Sequence, residues 1–306
     1  MLFTTDNQTL DDLNIFGKPG TASIYTIFNH CKTRGGEAVL SEMFRYPLSD
    51  DGAINRRSGI IHFFAESATV FPFQSAHFDH IEPYLANTDE RTKLTDEEGT
   101  LVQKLGKVIA QDEEVQQVYR GVQSLVDLLK DTRKFICDLD IPDTHVYAEE
   151  RQAIRSILLE PAFALVLESQ EKLDQRTFAD FDAILRFKFR KQVLTIFRYL
   201  YNLDVYISVA QVASKFGFVL PKALPKGQMS VTLKGMYHPQ VPNAVANNIS
   251  ITPENNVIFL TGANMAGKST FMKSLSIAMY LAHMGFPVAA QKMDFSVLDG
   301  IYTTIN

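Results

Sequence analysis

Residues 162–216 contain neither proline nor glycine and are bracketed by Pro161 and Gly217. An interval that long without a helix breaker, set against an average helix of about 11 residues, implies at least one long rod. Within it Phe178, Phe181, Leu185, Phe189, Val193, Phe197 and Leu200 recur at spacings of three and four, which puts them on one packing face. Arg186, Lys188, Arg190 and Lys191 gather nearby and read as a solvated stripe. Gly217 supplies the left-handed position that ends the rod. Helical spacing extends from about Asn7 to Leu220, and Thr95-Asp-Glu-Glu98 is a capping box ahead of Leu101, Leu105, Val108 and Ile109. It predicts a helix from Thr95 to about Gln111.

After Pro225 the texture changes. Ser230-Val-Thr-Leu233, Asn248-Ile-Ser-Ile251 and Val257-Ile-Phe-Leu-Thr261 are short and β-branched, bounded by Gly, Pro and Asn, and read as strands. A mainly helical domain over 1–225 and a second domain over 226–306 are therefore expected. Hydrophobic residues make up 46% and charged residues 21% of the 306-residue chain, an ordinary globular composition. Thirty Lys+Arg against 35 Asp+Glu leave a formal charge of −5, so contact with a polyanion needs a local basic face. No apolar run is long enough to span a bilayer, because Lys273, His283, Gly285 and Pro287 interrupt the longest. The acidic start, Met1 to Asp12, lacks an export signal, and the two cysteines, Cys31 and Cys137, have no metal-ligand spacing. A cytoplasmic location with inert thiols is expected.

One motif is specific. Gly262-Ala-Asn-Met-Ala-Gly-Lys-Ser269 fits G-x-x-x-x-G-K-[ST], with Val257–Thr261 as the preceding buried strand and Ser269–Met284 as the following helix. Its glycines let consecutive N–H groups turn inward, and the helix N-terminus adds a positive dipole end to that anion cradle. Gly262, Ala263, Asn264, Met265, Ala266, Gly267, Lys268, Ser269 and Thr270 are accordingly the expected nucleotide-binding residues. Lys268 is expected on the β- and γ-phosphates, and the Ser269 hydroxyl on Mg²⁺. ATP or ADP with Mg²⁺ is the expected cofactor. Gly285 then closes the helix, and Phe286–Ala290 reads as extended.

Thr261-Gly-Ala-Asn-Met-Ala-Gly-Lys-Ser-Thr270 resembles the Walker A loop of the MutS family of DNA mismatch-repair ATPases, in which the Asn-Met pair is a particular mark. Met236-Tyr-His-Pro239 resembles the His-Pro that opens that family's ATPase domain, and Met284–Ala290 with Val297–Thr303 continues the pattern. Thr9–Ile15, Ser23–Tyr25, Cys31–Leu40 and Arg45–Leu48 resemble the start of its lever domain, and Leu203–Ile207 with Phe216–Pro221 its descending helix end. The resemblance implies a multidomain α and α/β protein: a long-helix lever/core domain followed by the beginning of a P-loop, ABC-type, ATPase domain. It implies ATP-dependent binding of DNA through backbone or structural contacts, in mismatch repair or related DNA maintenance, and a homodimer in the full-length protein. The membrane has no part in that reading.

The departures carry expectations too. The family's mismatch-reading domain precedes the lever domain and is expected to be absent, while Phe64-Ala-Glu66 is a coincidental match to its Phe-x-Glu wedge. The inserted clamp is expected to be missing or reduced. Ala244 falls near a position where the family often stacks an aromatic residue on adenine. No apolar strand ending in Asp-Glu follows Ser269, and Val297-Leu-Asp299 comes too soon to replace it. The parent protein is thus expected to be an ATPase, and this chain a truncated piece that lacks the Walker B acids and does not hydrolyse ATP alone. The catalytic residues stay unknown. His77-Phe-Asp-His80 lacks further ligands for zinc, and Glu113-Glu114 and Glu149-Glu150 read as solvated faces. A second function remains open from another class: a non-catalytic, nucleotide-binding dimerisation scaffold with no DNA role.

Overall fold

A computed structural model describes residues 3–18, 20–95, 108–170, 173–263 and 266–305. The chain divides into two compact units, one made of residues 1–71 with 201–306 and the other of residues 72–200. The textural boundary at 225 thus lies inside the first unit.

In the first unit, helices α1 (Asn7–Asp12), α2 (Ile24–Phe28), α3 (Arg34–Arg45) and α4 (Asp51–Glu66) precede the long excursion through the second. Each starts on a side chain that accepts a first-turn N–H: Asp6, Ser23, Thr33 and Asp50. Ser23 and Thr26 form a reciprocal capping box.

The second unit contains α5 (Ser75–Ala86), α6 (Val108–Asp138), α7 (Ala148–Leu158), α8 (Pro161–Leu167) and α9 (Gln175–Asp182). Most of the helix expected over Thr95–Gln111 lies outside the described residues. At Gly121 in α6 an added Cβ would come within 2.4 Å of Tyr84, so the glycine permits the close approach of α5. α10 (Arg190–Phe216) contributes its beginning to this unit and residues 201–216 to the other.

The stretch without proline or glycine is therefore not one rod. It is broken after α8, and a π-helical turn over Ala183–Lys188 separates α9 from α10, with the Phe189 N–H donating to the Ile184 carbonyl at 2.8 Å. Phe181, Leu185, Val193, Phe197 and Leu200 are buried as their spacing demands. Arg186 is not part of a solvated stripe. It is wholly buried, donating to Asp182 at 2.7 Å and to the Thr92 hydroxyl and carbonyl, with its guanidinium over Tyr84 and Phe187. Asp182 also accepts from the Tyr84 hydroxyl and the Leu94 N–H, so the ion pair is satisfied from several sides. Lys188 and Lys191 are exposed. Glu150, expected on a solvated face, is buried as well, while Glu149 is exposed.

α10 ends at Gly217, whose φ of +66° turns the chain so that the Phe218 N–H reaches back to the Ala213 carbonyl. Strands β1 (Lys222–Leu224), β2 (Val231–Met236), β3 (Asn247–Ile251) and β4 (Lys292–Ser296) form one mixed sheet of order β1-β4-β2-β3. β1 runs parallel to β4, while β2 is antiparallel to both β4 and β3, with Val231 opposite Phe295 and Ile251. Asn55 of α4 covers β1 by donating to the Ala223 carbonyl and accepting its N–H, each at 2.9 Å.

Two segments far apart in sequence meet at Asp204 of α10. Its carboxylate accepts from the Lys32 N–H, the Thr33 N–H and the Thr33 hydroxyl, holding the start of α3 against α10. Gly36 makes that approach possible, since a Cβ there would lie 2.3 Å from Asp204. Cys31, beside it, has its thiol pushed up to about 12 by burial and then by the Asp204 charge, which keeps it protonated. Both cysteines are free thiols.

Candidate functional site

The expected strand before the glycine-rich loop does not form. Residues 257–261 are in no strand and lie exposed, Phe259 at 88% and Val257 at 71%. A strand exists only where a neighbour completes its hydrogen-bond ladder, and none of β1 to β4 pairs with this segment. Composition reported its propensity and could not report its partner.

The loop and helix do form. Gly267 adopts φ +84° and Gly262 φ +156°, and α11 runs from Lys268 to His283. No side chain caps α11, so its first turn presents amide donors and the positive end of the helix dipole to whatever faces the loop. The Lys268 ammonium folds over the loop and donates to the carbonyls of Gly262 and Ala263, both at 2.7 Å. Ala266 and Gly267 follow, and the Ala266 N–H donates to the Ala263 carbonyl at 3.2 Å. Ser269 and Thr270 are exposed on the first turn. Asn264 and Met265 lie outside the described residues.

A pocket of about 540 Å³ opens beside this turn. Leu260, Thr261, Ala266, Gly267, Lys268 and Thr270 line one side, with Phe271 and Ser274 of α11. His238, Val241, Asn243, Ala244, Val245 and Asn247 complete it from the segment linking β2 to β3. Sequence reasoning reached His238 and Ala244 only through the family resemblance. It missed Val241, Asn243, Val245 and Asn247, which carry no motif and are brought in by the β2–β3 pairing. The imidazole of His238 is held below its ordinary range by burial and then by the Lys273 ammonium, so it is neutral at pH 7. Its Nδ1 accepts the Gln240 N–H at 3.2 Å, which leaves the proton on Nε2. No carboxylate lines the pocket.

The chemistry of these residues suits a polyphosphate: an uncapped helix N-terminus, glycine-set backbone and one flexible ammonium whose present partners are loop carbonyls. Among the described residues no group of three or more His, Cys, Asp or Glu could hold a metal. A cation placed by the Ser269 hydroxyl would therefore draw its remaining ligands from phosphate oxygens and water.

The far end of α11 is anchored firmly. Gly285, at φ +69°, donates to the Ala282 carbonyl while the Phe286 N–H reaches the Leu281 carbonyl, the paired bonds of a Schellman motif. Arg57 and Ser58 of α4 donate to the carbonyls of Met284 and Gly285 at 2.8 and 3.0 Å. Phe286 inserts between Phe28 and Phe44, with ring centroids 5.6 and 5.8 Å away. The loop thus projects from a helix whose other end is fixed in the core. Val297-Leu-Asp299 plays no comparable part: Asp299 is exposed and paired with Lys226. Phe64 is buried in α4 and cannot act as a stacking wedge.

Comparison with known proteins matches the family model described as MutS domain III to residues 8–210 and that described as MutS domain V to residues 258–306. The DNA mismatch repair protein MutS of Caldanaerobacter subterraneus subsp. tengcongensis is 33% identical over 148 residues, 46% of this chain and 17% of the relative. That of Thermus aquaticus is 29% identical over 196 residues, 63% of this chain and 21% of the relative. That of Fusobacterium nucleatum subsp. nucleatum is 36% identical over 110 residues, 34% of this chain and 12% of the relative. The chain spans about a fifth or less of these relatives. No helix among the described residues is long and apolar enough to cross a membrane.

Proposed function

The chain belongs to the MutS family, and from that premise we propose that it is an ATP-dependent DNA-binding component of mismatch repair or related DNA maintenance. Residues 226–306 are the start of a P-loop ATPase domain, and residues 1–225 the lever domain that relays nucleotide state to DNA or partner engagement. The observation that carries this is the convergence of Lys268 and the uncapped α11 N-terminus with His238 and the 241–247 segment on one pocket. In this reading the amides of the loop and first turn bind the phosphates. Lys268 exchanges its carbonyl partners for phosphate oxygens, which are stronger, charge-assisted acceptors. Ser269 offers its hydroxyl to Mg²⁺, which would neutralise phosphate charge. The relatives named MutS act in DNA mismatch repair, and the full-length protein is proposed to do so as a homodimer.

Calorimetric titration of Mg·ATP into the chain tests the site. Binding is expected, and Lys268→Ala should weaken it at least about tenfold, the loss of a charge-assisted contact, while the far-ultraviolet dichroism stays unchanged. Unaltered affinity in a folded Lys268→Ala protein would remove the nucleotide reading. The formal charge of −5 favours a second reading, a nucleotide-stabilised dimerisation scaffold without a DNA role.

A further inference from the structure

The two sides of the candidate pocket differ in chemistry. One carries the ammonium, the turned glycine backbone and the helix N-terminus, all suited to phosphate. A phosphate chain seated there leaves the 238–247 side to the ribose and base. To tell adenine from guanine, that side must read the six-position, where adenine donates from its amino group and guanine accepts at its carbonyl.

It is poorly equipped to do so. Val241, Ala244 and Val245 have no polar side-chain atom, and no aromatic ring occurs between Pro239 and Asn247. Asn247 already donates its amide to the Val245 carbonyl at 2.9 Å. His238 has Nδ1 committed to the Gln240 N–H and retains a single donor, which the N3 and N7 acceptors common to both purines satisfy alike. From Val241 to Asn247 every residue but Ala244 is exposed, so even backbone groups keep water as an alternative partner. A hydrogen bond that exchanges freely with water contributes little, and large discrimination arises where a mismatch strands a buried polar group.

Given a nucleotide at the P-loop, on which this depends, we propose that the pocket selects the triphosphate rather than the base and accepts adenine and guanine nucleotides almost equally. The test is calorimetry of Mg·ATP and Mg·GTP against the chain at one pH and salt, followed by displacement with Mg·tripolyphosphate. Dissociation constants within about tenfold of each other, and displacement of both by tripolyphosphate, are expected. A preference beyond tenfold, or failure of tripolyphosphate to compete, overturns the inference and leaves the nucleotide site standing. If neither nucleotide binds, the site reading itself falls and this inference with it.

Discussion

His283, in the last turn of α11, is wholly buried with both ring nitrogens engaged. The Leu298 N–H donates to Nε2 at 2.9 Å, so Nδ1 carries the proton and donates to the Met279 carbonyl at 2.7 Å. Burial pushes the imidazole down to about 4, because a cation here would lose hydration, and the Met279 contact offsets only part of that cost. Between pH 6.5 and 4 the unfolded chain therefore binds a proton that the folded one refuses. The contribution is complete above 6.5 and drains away as pH falls toward 4, amounting to something of the order of 3 kcal/mol. His283→Gln has no titratable ring and can keep an acceptor for Leu298. Urea unfolding at pH 7 and pH 4.5 should find the variant losing less stability on acidification than the wild type, whereas parallel losses would show that His283 does not carry the effect.

At the scale of elements, docking depends on buried carboxylates whose partners lie far away in sequence. Asp204→Ala strands the Lys32 and Thr33 donors at the start of α3 and should cost about 3 kcal/mol in denaturant unfolding. A cost near zero would mean that water replaces the carboxylate there. The π turn before α10 poses the complementary case. Arg186→Met leaves Asp182 buried without its cation, and a loss of about 3–5 kcal/mol is expected. Pairing it with Asp182→Leu should restore part of that loss, because the double variant buries no charge, and a double variant worse than the single would refute this account. The spacing of Asp182 and Arg186, four residues apart, was a visible sign of a pair. What hid their burial was the turn, which breaks the 3.6-residue period that assigns residues to faces.

For the whole molecule, a net charge of −5 means that any DNA contact comes from local basic groups rather than bulk attraction. Affinity for duplex DNA should fall linearly on a logarithmic salt scale, by about 0.9 per phosphate neutralised, in a fluorescence anisotropy series. A response independent of salt would instead favour the scaffold. The sequence determined by itself whatever depends on neighbours along the chain: the helix caps, the αL glycines at 217, 267 and 285, and the loop that opens α11. It also carried the propensities of β2 and β3. Tertiary structure decided the rest. The 257–261 run has the composition of a strand and no ladder partner; Arg186 has the charge of a surface residue and a buried seat; Val241 to Asn247 have no motif and line the pocket. Propensity is local, whereas pairing, burial and pocket walls depend on which distant segments meet, and those meetings are set by the competition of the whole chain for a common core.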